Sequence, residues 1–102
     1  MSKNKYNTIK FRQLDMLSMD VDTFTIHTDD ILSVQIEPNG VTGLTFRDTD
    51  DGGERFIYVF KSHVRGWYDT DGIEQQDYDK LITVLSVYAE KAKTRRAIDS
   101  LN

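Results

Sequence analysis

A chain of 102 residues, 38% hydrophobic and 29% charged, suits one packed domain with a modest core rather than a disordered chain. Cysteine is absent, which excludes disulfides, thiolate zinc sites and a thiol nucleophile. The net charge is −4, no apolar run approaches the ~20 residues of a membrane span, and no apolar segment follows the basic start as a secretory leader requires, so the expected compartment is the cytoplasm.

The charge is uneven along the chain. Residues 1–12 hold four bases, Lys3, Lys5, Lys10 and Arg12, and no acid. Residues 13–54 hold ten acids and a single base, Arg47, whereas residues 55–102 hold eight bases and seven acids. The chain is therefore bipolar, with an acidic middle and two basic ends, the second being Lys91, Lys93, Arg95 and Arg96.

Thr8–Arg12 alternates as a short strand, with Ile9 and Phe11 inward and Lys10 and Arg12 outward. Leu14, Met16, Leu17, Met19 and Val21 follow with no single period, which suits strand, helical turn or a loop lining the core. Thr23–His27 is a strand, Thr28-Asp29-Asp30 a turn, and Ile31–Glu37 a strand with Leu32, Val34 and Ile36 on one face. Pro38-Asn39-Gly40 marks a tight hairpin, because Pro fixes φ and Asn-Gly accepts positive φ. Val41–Arg47 returns, and Gly43 inside it signals a bulge or a close backbone approach. Asp48–Gly53 is a longer, acidic turn. Arg55–Lys61 runs through Phe56, Ile57, Tyr58, Val59 and Phe60 without a polar position, which predicts a central strand buried on both faces.

Val64, Trp67 and Tyr68 form an aromatic stop before the turn Asp69–Gly72. Asp71 with Glu74 three residues on has the form of a capping box. The helix is therefore placed at about residues 73–100. Its apolar positions Tyr78, Leu81, Ile82, Leu85, Tyr88, Ala89 and Ala92 keep helical spacing. Asp77 and Asp79 near its start and the four bases near its end suit the helix dipole. The expected architecture is a single α+β domain over 1–102. A β-rich part over 8–68, about five antiparallel strands in a meander curling toward a partial barrel, is closed by the C-terminal helix. The outline is similar to pleckstrin-homology-like barrels, a likeness of fold that implies no activity.

Motifs that would carry chemistry fail on spacing. Counted from Asp48, a calcium loop of the EF-hand type meets Gly52 at its fifth position and Val59 where the closing glutamate belongs. The loop at Asp69 meets Lys80 at that position. His27 and His63 share no metal-binding or triad spacing. Gly52-Gly53 lies among acids, which repel phosphate. No catalytic residue, metal or cofactor is expected.

What remains is surface. The leading expectation is a non-enzymatic interaction or accessory protein, of the kind a phage encodes against a host factor. It would present its acidic sheet and turns, through Asp48, Asp50, Asp51 and Glu54, to a basic protein in the producing or host cytoplasm, with Trp67 and Tyr68 serving either as interface anchors or as lids of the core. Such a carboxylate face can also imitate the phosphates of DNA. A second expectation is nucleic-acid binding through Lys91, Lys93, Arg95, Arg96 and the basic N-terminus. A third is a small-ligand pocket between sheet and helix that uses His27 or His63. Val84 and Val87 widen the apolar stripe of the helix, which fits a homodimer formed through it.

Overall fold

A computed structural model describes residues 7–48 and 50–100. Among these, seven strands and one helix follow in order: β1 (Thr8–Leu14), β2 (Val21–His27), β3 (Ile31–Glu37), β4 (Val41–Arg47), β5 (Glu54–Phe60), β6 (Val64–Tyr68), β7 (Glu74–Gln75) and α1 (Tyr78–Ser100). A 3₁₀ turn at Thr28–Asp30 joins β2 to β3. The strands pair antiparallel in two sheets, β2-β1-β6-β7 and β3-β4-β5. The fold is α+β, its long helix packs on β3, and no barrel closes.

Seven strands replace the expected five or so because the aromatic stop and Glu74–Gln75 are also paired, as β6 and β7. The stretch after Arg12 is a hairpin: β1 runs on to Leu14, which pairs with Val21. Its tip turns at Met19, whose φ is 62°, and Asp15 accepts the Met19 amide. The aromatic stop is β6, which lies against β1 and not beside its sequence neighbour β5. The hairpin at Pro38–Gly40 forms as its residues dictate, with Asn39 and Gly40 at φ 66° and 74°.

One apolar cluster joins the layers. Ile9, Phe11, Ile26 and Trp67 come from the first sheet, Ile31, Leu44, Phe46 and Val59 from the second, and Tyr78, Leu81, Ile82, Leu85 and Ala89 from the helix. The strand expected at the centre is instead an edge. Among the described residues β5 pairs only with β4, and β4 is the middle strand of its sheet. Ile57 and Val59 point to the core, whereas Phe56 and Tyr58 are about half exposed, at 48% and 47%. An unbroken apolar run carries no label for its two faces, and here only one of them is covered.

The helix starts at Tyr78 rather than near residue 73. Glu74 does not close a capping box with Asp71, since it belongs to β7 and pairs with Tyr68. The N-cap is Asp77, whose Oδ1 accepts the Lys80 amide at 3.2 Å. The Asp77 carbonyl accepts Trp67 Nε1 at 2.9 Å. At the other end the last turn holds Asp99 and no base, so the Lys91–Arg96 cluster lies short of the residues where the helix dipole is felt.

Tyr78 ties α1 to the second sheet. Its hydroxyl lies 2.8 Å from Thr42 Oγ1 and donates to the Val59 carbonyl at 3.2 Å, in a buried setting. Tyr78→Phe is therefore expected to cost about 1–2 kcal/mol, because a buried partner loses its bond. Tyr88→Phe, which removes a hydroxyl engaged in no hydrogen bond among the described residues, should stay within about 0.5 kcal/mol. Urea unfolding of the two variants checks the contrast.

Candidate functional site

The outer face of the second sheet follows from its register. Tyr58 pairs with Gly43, Phe56 with Thr45 and Phe60 with Val41, while Gln35 pairs with Gly43 and Glu37 with Val41. Cross-strand partners share a face, so β5 contributes a row of three aromatic rings opposite the core. Phe56 and Tyr58 meet edge to face at 4.9 Å between centroids. Tyr58 and Phe60 lie 6.2 Å apart, and Phe60 meets the His63 ring at 5.0 Å. Gly43 makes the row possible. A Cβ there would fall 2.9 Å from the tip of the Phe56 ring, so glycine lets the ring lie on the strand.

The edge of β5 is only partly closed. Gln13 of β1 reaches across, donating from Nε2 to the Tyr58 carbonyl at 3.0 Å and accepting the Phe60 amide at Oε1 at 2.8 Å. Its side-chain amide thus does for one residue pair what a neighbouring strand would do. Lys61 donates its amide toward Gly40, on the β4 side. Amides alternate in direction along a strand, so those of Phe56 and Tyr58 point outward with Phe60, away from β4.

The acidic turn leads directly into this strand. Asp48 is mostly buried. Its Oδ1 accepts the Asp50 amide at 2.9 Å, and its Oδ2 lies 3.8 Å from Arg55. Asp51 Oδ1 accepts the Gly53 amide at 2.8 Å, and Gly52 takes φ 75°. Two of the four expected contact carboxylates therefore shape the turn. Asp50 and Glu54 are exposed and, among the described residues, accept no hydrogen bond on their carboxylates. No group of three or more His, Asp or Glu side chains among the described residues is arranged to hold a metal ion.

The two aromatic anchors expected from the sequence are placed differently. Trp67 is fully buried and its indole N–H is used by Asp77, so it is a core residue and offers a partner nothing. Tyr68 is half-buried, with Lys10 Nζ 5.7 Å from its ring centre. Phe56 and Tyr58 are the exposed aromatics that sequence reading missed. Alternation of aromatic with aliphatic residues over Phe56–Phe60 is the signal that separates the two faces.

A second apolar feature is the tip of the β1–β2 hairpin. Leu17 is 98% exposed, with Met16, Met19 and Val21 also exposed around it. Asp15, Asp20 and Asp22 stand beside them in sequence. The carboxylates of 13–54 thus gather at strand ends and do not pave a continuous sheet face. Several are paired: Asp30 with Arg47 at 3.8 Å, and Asp29 with Arg95 at 3.7 Å. The last pair brings acidic and basic poles into contact.

The basic residues do not form one patch by their contacts. Lys3 and Lys5 lie outside the described residues. Arg12 bonds Glu74 at 3.1 Å on the far face of the first sheet, and Gly66 at φ 103° makes room for its guanidinium. Lys91 sits 5.0 Å from the Tyr88 ring centre, Arg95 is held by Asp29, and Lys93 and Arg96 are exposed on α1. His27 accepts the Asp29 amide at Nδ1. Two hollows beside α1, of about 840 and 380 Å³, are lined by neither histidine. No described helix is long and apolar enough to cross a membrane.

Compared with protein-family models, curated proteins and solved structures, the chain matches none of them. Its functional reading therefore rests on these side chains alone.

The turn geometry separates structural from free carboxylates. Asp48→Ala should destabilise the chain by about 1 kcal/mol by freeing the Asp50 amide and Arg55. Asp50→Asn should change stability by less than about 0.5 kcal/mol. Thermal unfolding of both variants measures the difference.

Proposed function

We propose that this chain is a non-enzymatic interaction protein that docks a basic protein on the outer face of its second sheet. The observation that carries the reading is the row Phe56-Tyr58-Phe60, which is exposed in its first two members and is entered from the acidic turn at Asp50, Asp51 and Glu54. Aromatic side chains dominate the energetics of protein interfaces, because they bring large apolar area at little entropic cost. A carboxylate rim then selects for a partner with lysine or arginine around its contact. Arginine fits both parts, since its guanidinium stacks on an aromatic face and forks onto a carboxylate.

The hairpin tip repeats the same combination, with Leu17 and two methionines among Asp15, Asp20 and Asp22. This supports one kind of partner, with an apolar contact surrounded by positive charge. The same carboxylates oppose nucleic acid on these surfaces. An aromatic sheet face can stack bases, but phosphates would then lie against Asp50, Asp51 and Glu54. A phage-encoded protein directed at a host factor, acting in the host cytoplasm, would fit this reading.

Tagged protein incubated with lysate of the producing or host cell should retain a protein of basic isoelectric point. Phe56→Ser with Tyr58→Ser should abolish retention, and Asp50→Asn with Glu54→Gln should weaken it several-fold and blunt its salt dependence. Retention that is unchanged in both pairs of variants contradicts the proposal.

A further inference from the structure

A broad hollow lies along α1, on the side away from its buried stripe. It measures about 840 Å³ and is walled by Ile36 of β3 on one side and by the helix on the other. Ile36 is 71% exposed although it shares a face with the partly buried Val34. Val84 packs into the core, but Val87 is exposed, so only part of the widened apolar stripe is used within the chain. We infer that this groove is the contact between two copies of the chain, paired through antiparallel α1 helices about a two-fold axis passing between Glu90 and Lys91.

The sequence of the groove is its own complement under that operation. In a pair of antiparallel helices related by a two-fold axis, residues equally far before and after the axis face each other. With the axis between residues 90 and 91, Glu90 meets Lys91 of the second copy, and Lys91 meets its Glu90. Moving outward, Val87 meets Thr94 and Thr83 meets Ile98, all of which line the groove. No like charges oppose at the centre, and each apolar side chain meets the apolar part of a threonine. Spacing agrees with this. Thr83, Val87 and Lys91 follow one another at four-residue steps, as do Glu90, Thr94 and Ile98. The operation exchanges these two ridges, which is the condition for packing the four-residue ridges of one helix against those of an identical helix. Lys91 already lies over the Tyr88 ring, which leaves its ammonium on the helix surface beside the axis. This contact is separate from the aromatic face of β5, and its failure would leave the proposed partner surface untouched.

The experiment is sedimentation equilibrium of the full chain from about 10 to about 200 μM, where contacts of small area exchange between free and bound. The wild type is expected to approach twice its 11.8 kDa mass across this range. Glu90→Lys alone places lysines opposite lysines, and Lys91→Glu alone places acids opposite acids. Each should weaken association about tenfold or more. The double swap, Glu90→Lys with Lys91→Glu, keeps the composition and restores opposite pairs, so it should recover the wild-type constant to within about threefold. Circular dichroism of all four proteins establishes that each is folded. A monomer at every concentration would overturn the inference and assign the groove to an occupant of another kind. A dimer indifferent to the single swaps, or one that the double swap fails to restore, would overturn it equally.

Discussion

Two adjacent residues at the start of α1 hold the layers of this protein together. Asp77 caps the helix through its carboxylate and receives the Trp67 indole N–H on its carbonyl, which ties the helix to the first sheet. Tyr78 turns the other way and places its hydroxyl on Thr42 and on the Val59 carbonyl of the second sheet. The bonds of Tyr78 are buried, where a polar group without a partner is costly, so each bond fixes position as well as adding stability. The buried side chains of the helix, Leu81, Ile82 and Leu85, then fall on the inner face of the second sheet and complete the core.

The outer surfaces follow from that arrangement. With the helix on the inner face, no layer among the described residues covers the opposite face of β3-β4-β5. Its aromatic row pairs with itself and with Gly43 instead. Gln13 links the far edge of β5 to the first sheet at one point, leaving the segment next to the acidic turn open. The exposed aromatics and the carboxylates of Asp50 and Glu54 are close along the chain, because the same edge strand and its turn carry both. The remaining apolar surface of α1 lies beside Ile36, on the other side of the sheet, and gives a second, separate contact face.

Much of the fold is legible in the residues. The α+β class, the Pro38–Gly40 hairpin, the strands β3 and β4 at their observed bounds and the buried face of α1 all follow from period and turn chemistry. What could not be read depends on pairing over distance. β6 is recognisable as aromatic but not as a partner of β1, and Glu74 has the spacing of a helix cap although a strand claims it. The candidate site was half legible. The acidic turn is plain from Asp48–Glu54, but its division into structural and free carboxylates depends on which oxygens meet backbone amides. Trp67 is core and Phe56 is surface for one reason: burial is decided by the layer that lands on a face. A tryptophan after a strand and a phenylalanine within one give no local sign of it.

Strand β5 is an edge whose outer side is bare toward the acidic turn and closed by Gln13 beyond it. Residue-resolved amide hydrogen exchange tests this directly. The amides of Phe56 and Tyr58 should exchange quickly, while those of Ile57 and Val59, which face β4, and of Phe60, which is bound to Gln13, should be protected. Protection of Phe56 and Tyr58 as strong as that of Val59 would contradict the account, since it would mean that another strand or layer covers the proposed surface.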